Sequence, residues 1–127
     1  MDDVRQRGVL AGRMTRLAAV AAFVLLWATS ASAIALSVDW KPLTMSLDAC
    51  VALAGRAMRG QGLDVYYTDQ NTDANGAYGV AWGRNSKFIM TVDCVQRQSI
   101  VFFAIASEET VSSQDREAVR DAVSAQF

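Results

Sequence analysis

The chain has 127 residues, 52% of them apolar, with twelve Lys/Arg against thirteen Asp/Glu and no histidine. That length bounds the number of domains at one, and the near-neutral charge leaves no electrostatic footprint for nucleic acid. Without imidazole, the commonest general base and the thiolate–imidazole zinc site are both ruled out.

Residues 1–33 carry the three parts of a secretory signal peptide. Arg5, Arg7, Arg13 and Arg16 precede an apolar run from Leu17 to Trp27, and Ala31-Ser32-Ala33 supplies the small-x-small cleavage site. Cleavage is expected after Ala33. The competing reading is a retained anchor, because Leu17 to Leu36 is about long enough to cross a bilayer as a helix. Against it, Thr29, Ser30 and Ser32 dilute the second half of that stretch. Residues 1–33 also hold four arginines and two aspartates, so residues 34–127 balance eight basic against eleven acidic side chains, a net charge of −3. The processed domain is therefore expected to bind neither nucleic acid nor membrane.

Taken in order, Ile34 to Leu43 alternates Leu36, Val38 and Trp40, an edge-strand pattern that Pro42 terminates. From Ser46 to Arg59 the spacing of Leu47, Cys50, Val51, Ala54 and Met58 predicts an amphipathic helix. Ser46 is its N-cap, Asp48 complements the first turn, and Gly60 and Gly62 stop it. Four runs then read as strands: 63–68, 77–83, 87–95 and 99–107. Within them Phe88, Met90, Val92 and Cys94 share one face, whereas 99–107 is apolar almost throughout, as in an interior strand. Short links favour antiparallel hairpins, and 113–126 closes the chain as a second helix, with Val119, Ala122, Val123 and Gln126 or Phe127 along one side. The expected class is α+β: a helix, a four-stranded antiparallel meander and a C-terminal helix in one small domain, 34–127.

Cys50 and Cys94 are the two cysteines, one on the apolar face of the first helix and one on the inward face of a strand. In an oxidising compartment they are expected to pair, pinning helix to sheet; redox chemistry favours thiols with only two residues between them, and these lie forty-four positions apart. The last strand presents Val101, Phe103 and Ile105 to one side and Ile100, Phe102, Ala104 and Ala106 to the other. Whichever set faces away from the first helix is expected to be covered by the terminal helix or the Leu36–Trp40 segment, with a partner surface as the alternative.

Among candidate sites, Asp69, Asn71, Asp73 and Asn75 place oxygen-bearing side chains at alternate positions, as at the start of a calcium loop. The twelfth position, where such a loop needs glutamate, is Val80, and the composition equally suits a polar hairpin tip. Tyr66, Tyr67, Tyr78 and Trp82 form the aromatic cluster best suited to a partner, although Tyr78 and Trp82 also read as core. Gly79 is expected to accommodate a bulge or a close neighbour. No catalytic set and no cofactor motif emerges.

Ser46-Leu47-Asp48-Ala49-Cys50, Gly60-Gln61-Gly62-Leu63 and Val92-Asp93-Cys94 resemble small exported bacterial proteins of uncharacterised function, in which a helix cysteine pairs with one on a later strand. The element order is also similar to the cystatin-like arrangement, which implies inhibition of cysteine proteases, but the Gln-x-Val-x-Gly hairpin of those inhibitors is missing. The expected function is that of a periplasmic or secreted, non-catalytic binding or structural domain. A weak calcium-binding module and a cystatin-like inhibitor are the alternatives.

Overall fold

A computed structural model describes residues 33–73 and 76–127, so Asn75 and all but the last residue of the expected signal peptide, 1–33, lie outside the described residues. Strand β1 (Ile34–Pro42) leads to helix α1 (Leu47–Gly60), then β2 (Asp64–Asp73), β3 (Gly76–Arg84), β4 (Phe88–Val95), β5 (Ile100–Glu108) and helix α2 (Ser113–Ser124). The five strands form one antiparallel sheet in the order β1-β5-β4-β3-β2. Residues 33–127 make up one compact unit.

The expected sheet had four strands; it has five. Strand β5 is apolar on both faces and needs a neighbour at each side. Strand β4 supplies one, and β1 supplies the other in an unbroken register from Ile34 opposite Glu108 to Pro42 opposite Ile100. Pro42, with no N–H to donate, sits at the end of an edge strand, where the ladder tolerates it.

Helix α1 links opposite edges of the sheet and begins and ends on sequence-encoded caps. The Ser46 hydroxyl accepts from the Ala49 N–H at 3.2 Å. At the other end Gly62, at φ 77°, donates to the Arg59 carbonyl, and Leu63 donates to that of Met58. This pair of bonds is the Schellman arrangement, which needs a left-handed residue that glycine adopts without a Cβ penalty. Helix α2 is capped likewise, Ser112 Oγ accepting from the Asp115 N–H at 3.1 Å.

Both helices lie on one face of the sheet, α1 over β2, β3 and β4, and α2 over β1 and β5. Between them and the sheet are Cys50, Ala54, Met58, Met90, Val92, Val101, Phe103, Ile105 and Val123, all buried. The ring of Phe127 meets that of Phe103 edge-on at 5.1 Å. The Cys50–Cys94 disulfide is formed, with 6.3 Å between Cα atoms, and ties α1 to β4 through the middle of this layer.

Strand β3 corrects the expectation that Tyr78 and Trp82 pack in the core. Its small residues Gly79, Ala81 and Gly83 face α1, so its large ones point the other way. A Cβ on Gly79 would lie 2.5 Å from Val51 Cγ2, so the helix rests on bare backbone. The close-neighbour expectation for Gly79 is met; the bulge lies elsewhere, between Val65 and Tyr67 on β2. Gly79→Ala is expected to cost about 2 kcal/mol, because valine on a helix has one strongly preferred rotamer and cannot swing clear. Gly83→Ala should cost less, since the atom it meets, Met58 Sδ at 2.9 Å, ends a flexible chain. In urea unfolding, adding Val51→Ala to Gly79→Ala should restore part of the loss.

Candidate binding face

With both helices on one side, the opposite side of the sheet has no cover among the described residues. This overturns the expected intramolecular cover: α2 joins α1 on the same face, and the Leu36–Trp40 segment is spent as a strand of the sheet. The cause lies in β5, whose larger set Val101, Phe103 and Ile105 is fully buried beneath both helices, leaving Phe102, Ala104 and Ala106 to look outward.

Register builds the open face row by row. Tyr67 stands opposite Trp82, Trp82 opposite Thr91, Thr91 opposite Ala104, and Ala104 opposite Val38. The next row runs Asp69, Val80, Asp93, Phe102 and Trp40. Beyond it Asn71 faces Tyr78, and at the other end Arg84, Ile89, Ala106 and Leu36 follow one another. Ile34, Leu36 and Trp40 are 76%, 63% and 62% exposed, so the β1 border is apolar side chain left in water.

Two halves differ in chemistry. On β1 and β5 the face is aliphatic with Trp40 and Phe102; on β2 and β3 it is aromatic with polar neighbours. The β2 bulge sets the second half. It inserts Tyr66 into the strand, so Tyr67 turns out beside Trp82 when simple alternation would have sent it inward with Val65. The Arg84 guanidinium lies over the Tyr66 ring at 4.6 Å, a cation–π contact. Tyr67 donates its phenolic hydrogen to Asp69 Oδ2 at 3.3 Å, and the negative charge of Asp69 raises the phenol above its ordinary pKa.

At the centre, Asp93 is half-buried and accepts from Thr91 Oγ1 at 3.1 Å. Burial raises its pKa, and the Thr91 hydrogen bond opposes that shift without cancelling it. The fold thus favours the protonated carboxyl. Its cost is absent below the ordinary aspartate range of about 3.9 and enters as pH rises through the raised value. Asp93→Asn is accordingly expected to melt above the wild type at neutral pH, the difference closing as both are brought to acid pH in thermal melts.

The predicted partner residues Tyr66, Tyr67, Tyr78 and Trp82 are brought together on this face. Of the predicted cation ligands, Asp69, Asn71 and Asp73 belong to β2, and Asn75 lies outside the described residues. Pairing of β2 with β3 continues to Asp73 opposite Gly76, so Asp69, Asn71 and Asp73 follow one another along an extended strand. Alternate residues of a strand stand about 6.6 Å apart, a row where a calcium loop would converge. Among the described residues, no group of three or more Cys, Asp or Glu is placed to hold a metal ion. Trp40 and Phe102 were not among the predicted partner residues; the alternation of β1 and β5 carried that signal once the two strands were known to be neighbours.

Comparison of the chain with protein-family models, with curated proteins and with solved structures returns no match.

Proposed function

We propose that this chain is an exported, non-catalytic domain that acts by binding another macromolecule through the open face of its sheet. One observation carries the reading: Trp40, Tyr67, Tyr78, Trp82 and Phe102 project from the face that the helices leave bare. Tryptophan, tyrosine and arginine are the residues enriched where interfaces concentrate their energy, since rigid rings bury much surface at little entropic cost. Few monomeric proteins leave apolar surface of this extent in water without a use for it. Export is supported by the signal-peptide pattern of residues 1–33 and by the Cys50–Cys94 bond, which persists where thiols are not kept reduced.

Photocrosslinking in the exporting cell tests the reading. A photoreactive residue replaces Tyr78 on the face or, as a control, Arg56 on the exposed side of α1. Discrete adducts from position 78 and none from position 56 are expected. Equal labelling at both positions, or none at either, would remove the face as a binding surface.

A further inference from the structure

We infer that the occupant of the open face is a second copy of this chain, stacked sheet against sheet about a two-fold axis; this rests on the binding reading above and names its partner. Size is the first argument. Strands of eight to ten residues, five abreast, present about 700 Å² at ordinary strand rise and spacing. A standard stable interface buries about 800 Å² per partner. The match uses the whole face, including the aliphatic β1 border, which a polar ligand would leave exposed.

The second argument is that both edges of the sheet are guarded against pairing with another chain. Both edge strands have main-chain groups occupied from within. On β1, Asp39 Oδ1 accepts from the Trp40 N–H at 2.9 Å, and Arg120 Nη1 donates to the Val38 carbonyl at 3.1 Å. On β2, Asp69 Oδ1 accepts from the Gln70 N–H at 2.8 Å. Charged side chains on edge strands suppress pairing with another chain. A second copy therefore meets the face and not the edge, and the contact is closed at two copies instead of growing into a fibre.

Packed sheets stand about 10 Å apart, a gap that large side chains from both sides fill. The product is a four-layer particle, helices outside and two five-stranded sheets within. Asp93 lies on β4, the central strand, and a two-fold axis midway between the sheets and running along that strand would place the two copies of Asp93 at the same height. It therefore approaches its own counterpart, and removing its charge should tighten the pair.

Sedimentation equilibrium of the oxidised protein, as it accumulates in an exporting host, tests this across micromolar concentrations. A reversible dimer is expected. Trp40→Ser and Phe102→Ser, both on the exposed face, should each weaken it by about tenfold or more, with circular dichroism of the dilute protein unchanged. Asp93→Asn should strengthen it. A monomer throughout, a dimer indifferent to Trp40→Ser and Phe102→Ser, or an Asp93→Asn dimer no tighter than the wild type would each overturn the inference. A monomer whose position-78 crosslinks join a different protein would overturn self-pairing while leaving the binding face in place. A monomer with no adduct would remove both.

Discussion

Replacing Cys50 and Cys94 together by alanine is expected to remove about 4 kcal/mol of folding free energy. The bond closes a loop spanning 44 positions, and in the chain-entropy treatment a cross-link of that length restricts the unfolded ensemble by about that amount. A domain of this size is stable by roughly 5–10 kcal/mol in total, so the loss is about half of what holds it folded. Alanine is the appropriate replacement. Both sulfurs are fully buried between α1 and β4, and serine would add the separate cost of a buried hydroxyl. Urea unfolding of wild type and variant should show the midpoint falling by about 3 M and the slope rising, since the uncrosslinked unfolded chain exposes more surface. Wild-type protein unfolded in the presence of a thiol reductant should approach the variant. An unshifted midpoint would mean that the unfolded chain already holds the helix beside the strand, so that the bond has no freedom left to restrict.

That the bond joins these two elements was legible because two periods agree. Cys50 recurs with Val51, Ala54 and Met58 at helical spacing, and Cys94 alternates with Met90 and Val92 at strand spacing; each pattern puts its sulfur on a buried face. The caps were equally legible, since Ser46 and Gly62 act within a few residues of themselves. Expectations failed where the deciding partner is distant in the chain. Strand β3 alternates large and small residues, and either set can face inward. What settles it is that Val51, nearly thirty residues earlier, needs the space that Gly79 leaves. Strand β2 has an inserted residue that no local pattern marks, so Tyr67 emerges on the side opposite to the one alternation gives. The open face follows from both effects together with the placement of α2. A binding surface spread over five strands, from Trp40 to Phe102, is not a motif, and only register assembles it.

The inward face of α2 holds the other strong prediction. Arg116 precedes Val119 and Val123 by three and seven positions, which places it on the apolar side of the helix, and it is buried there. Its Nε donates to Ser37 Oγ on β1 at 2.8 Å and its Nη1 to Ser107 Oγ on β5 at 3.2 Å, while Ser107 passes its own hydrogen to the Glu108 carbonyl. One guanidinium thus fastens the edge strand, its neighbour and the helix above them. Hydrogen bonds to a charged group contribute about 1.5–3 kcal/mol each, and the cost of burying the cation offsets part of the total. Arg116→Ala is therefore expected to destabilise by about 3 kcal/mol. Lysine should recover less than half of that, because an ammonium lacks the planar fork that reaches both hydroxyls. Replacing all three polar groups at once, Arg116→Met with Ser37→Ala and Ser107→Ala, should come close to wild type, since no donor or acceptor is then left buried without a partner. Arg120→Ala, one turn along, should cost less than Arg116→Ala: it loses one bond to the Val38 carbonyl and a pair with Asp121 that is exposed on the acidic side, and surface pairs of that kind are worth less than about 1 kcal/mol. Amide exchange distinguishes the clamp from a general packing role. In Arg116→Ala the β1 amides should lose protection well before those of β3 and β4, because the strand released is the one at the sheet edge. Uniform loss across all five strands would mean that Arg116 supports the core as a whole.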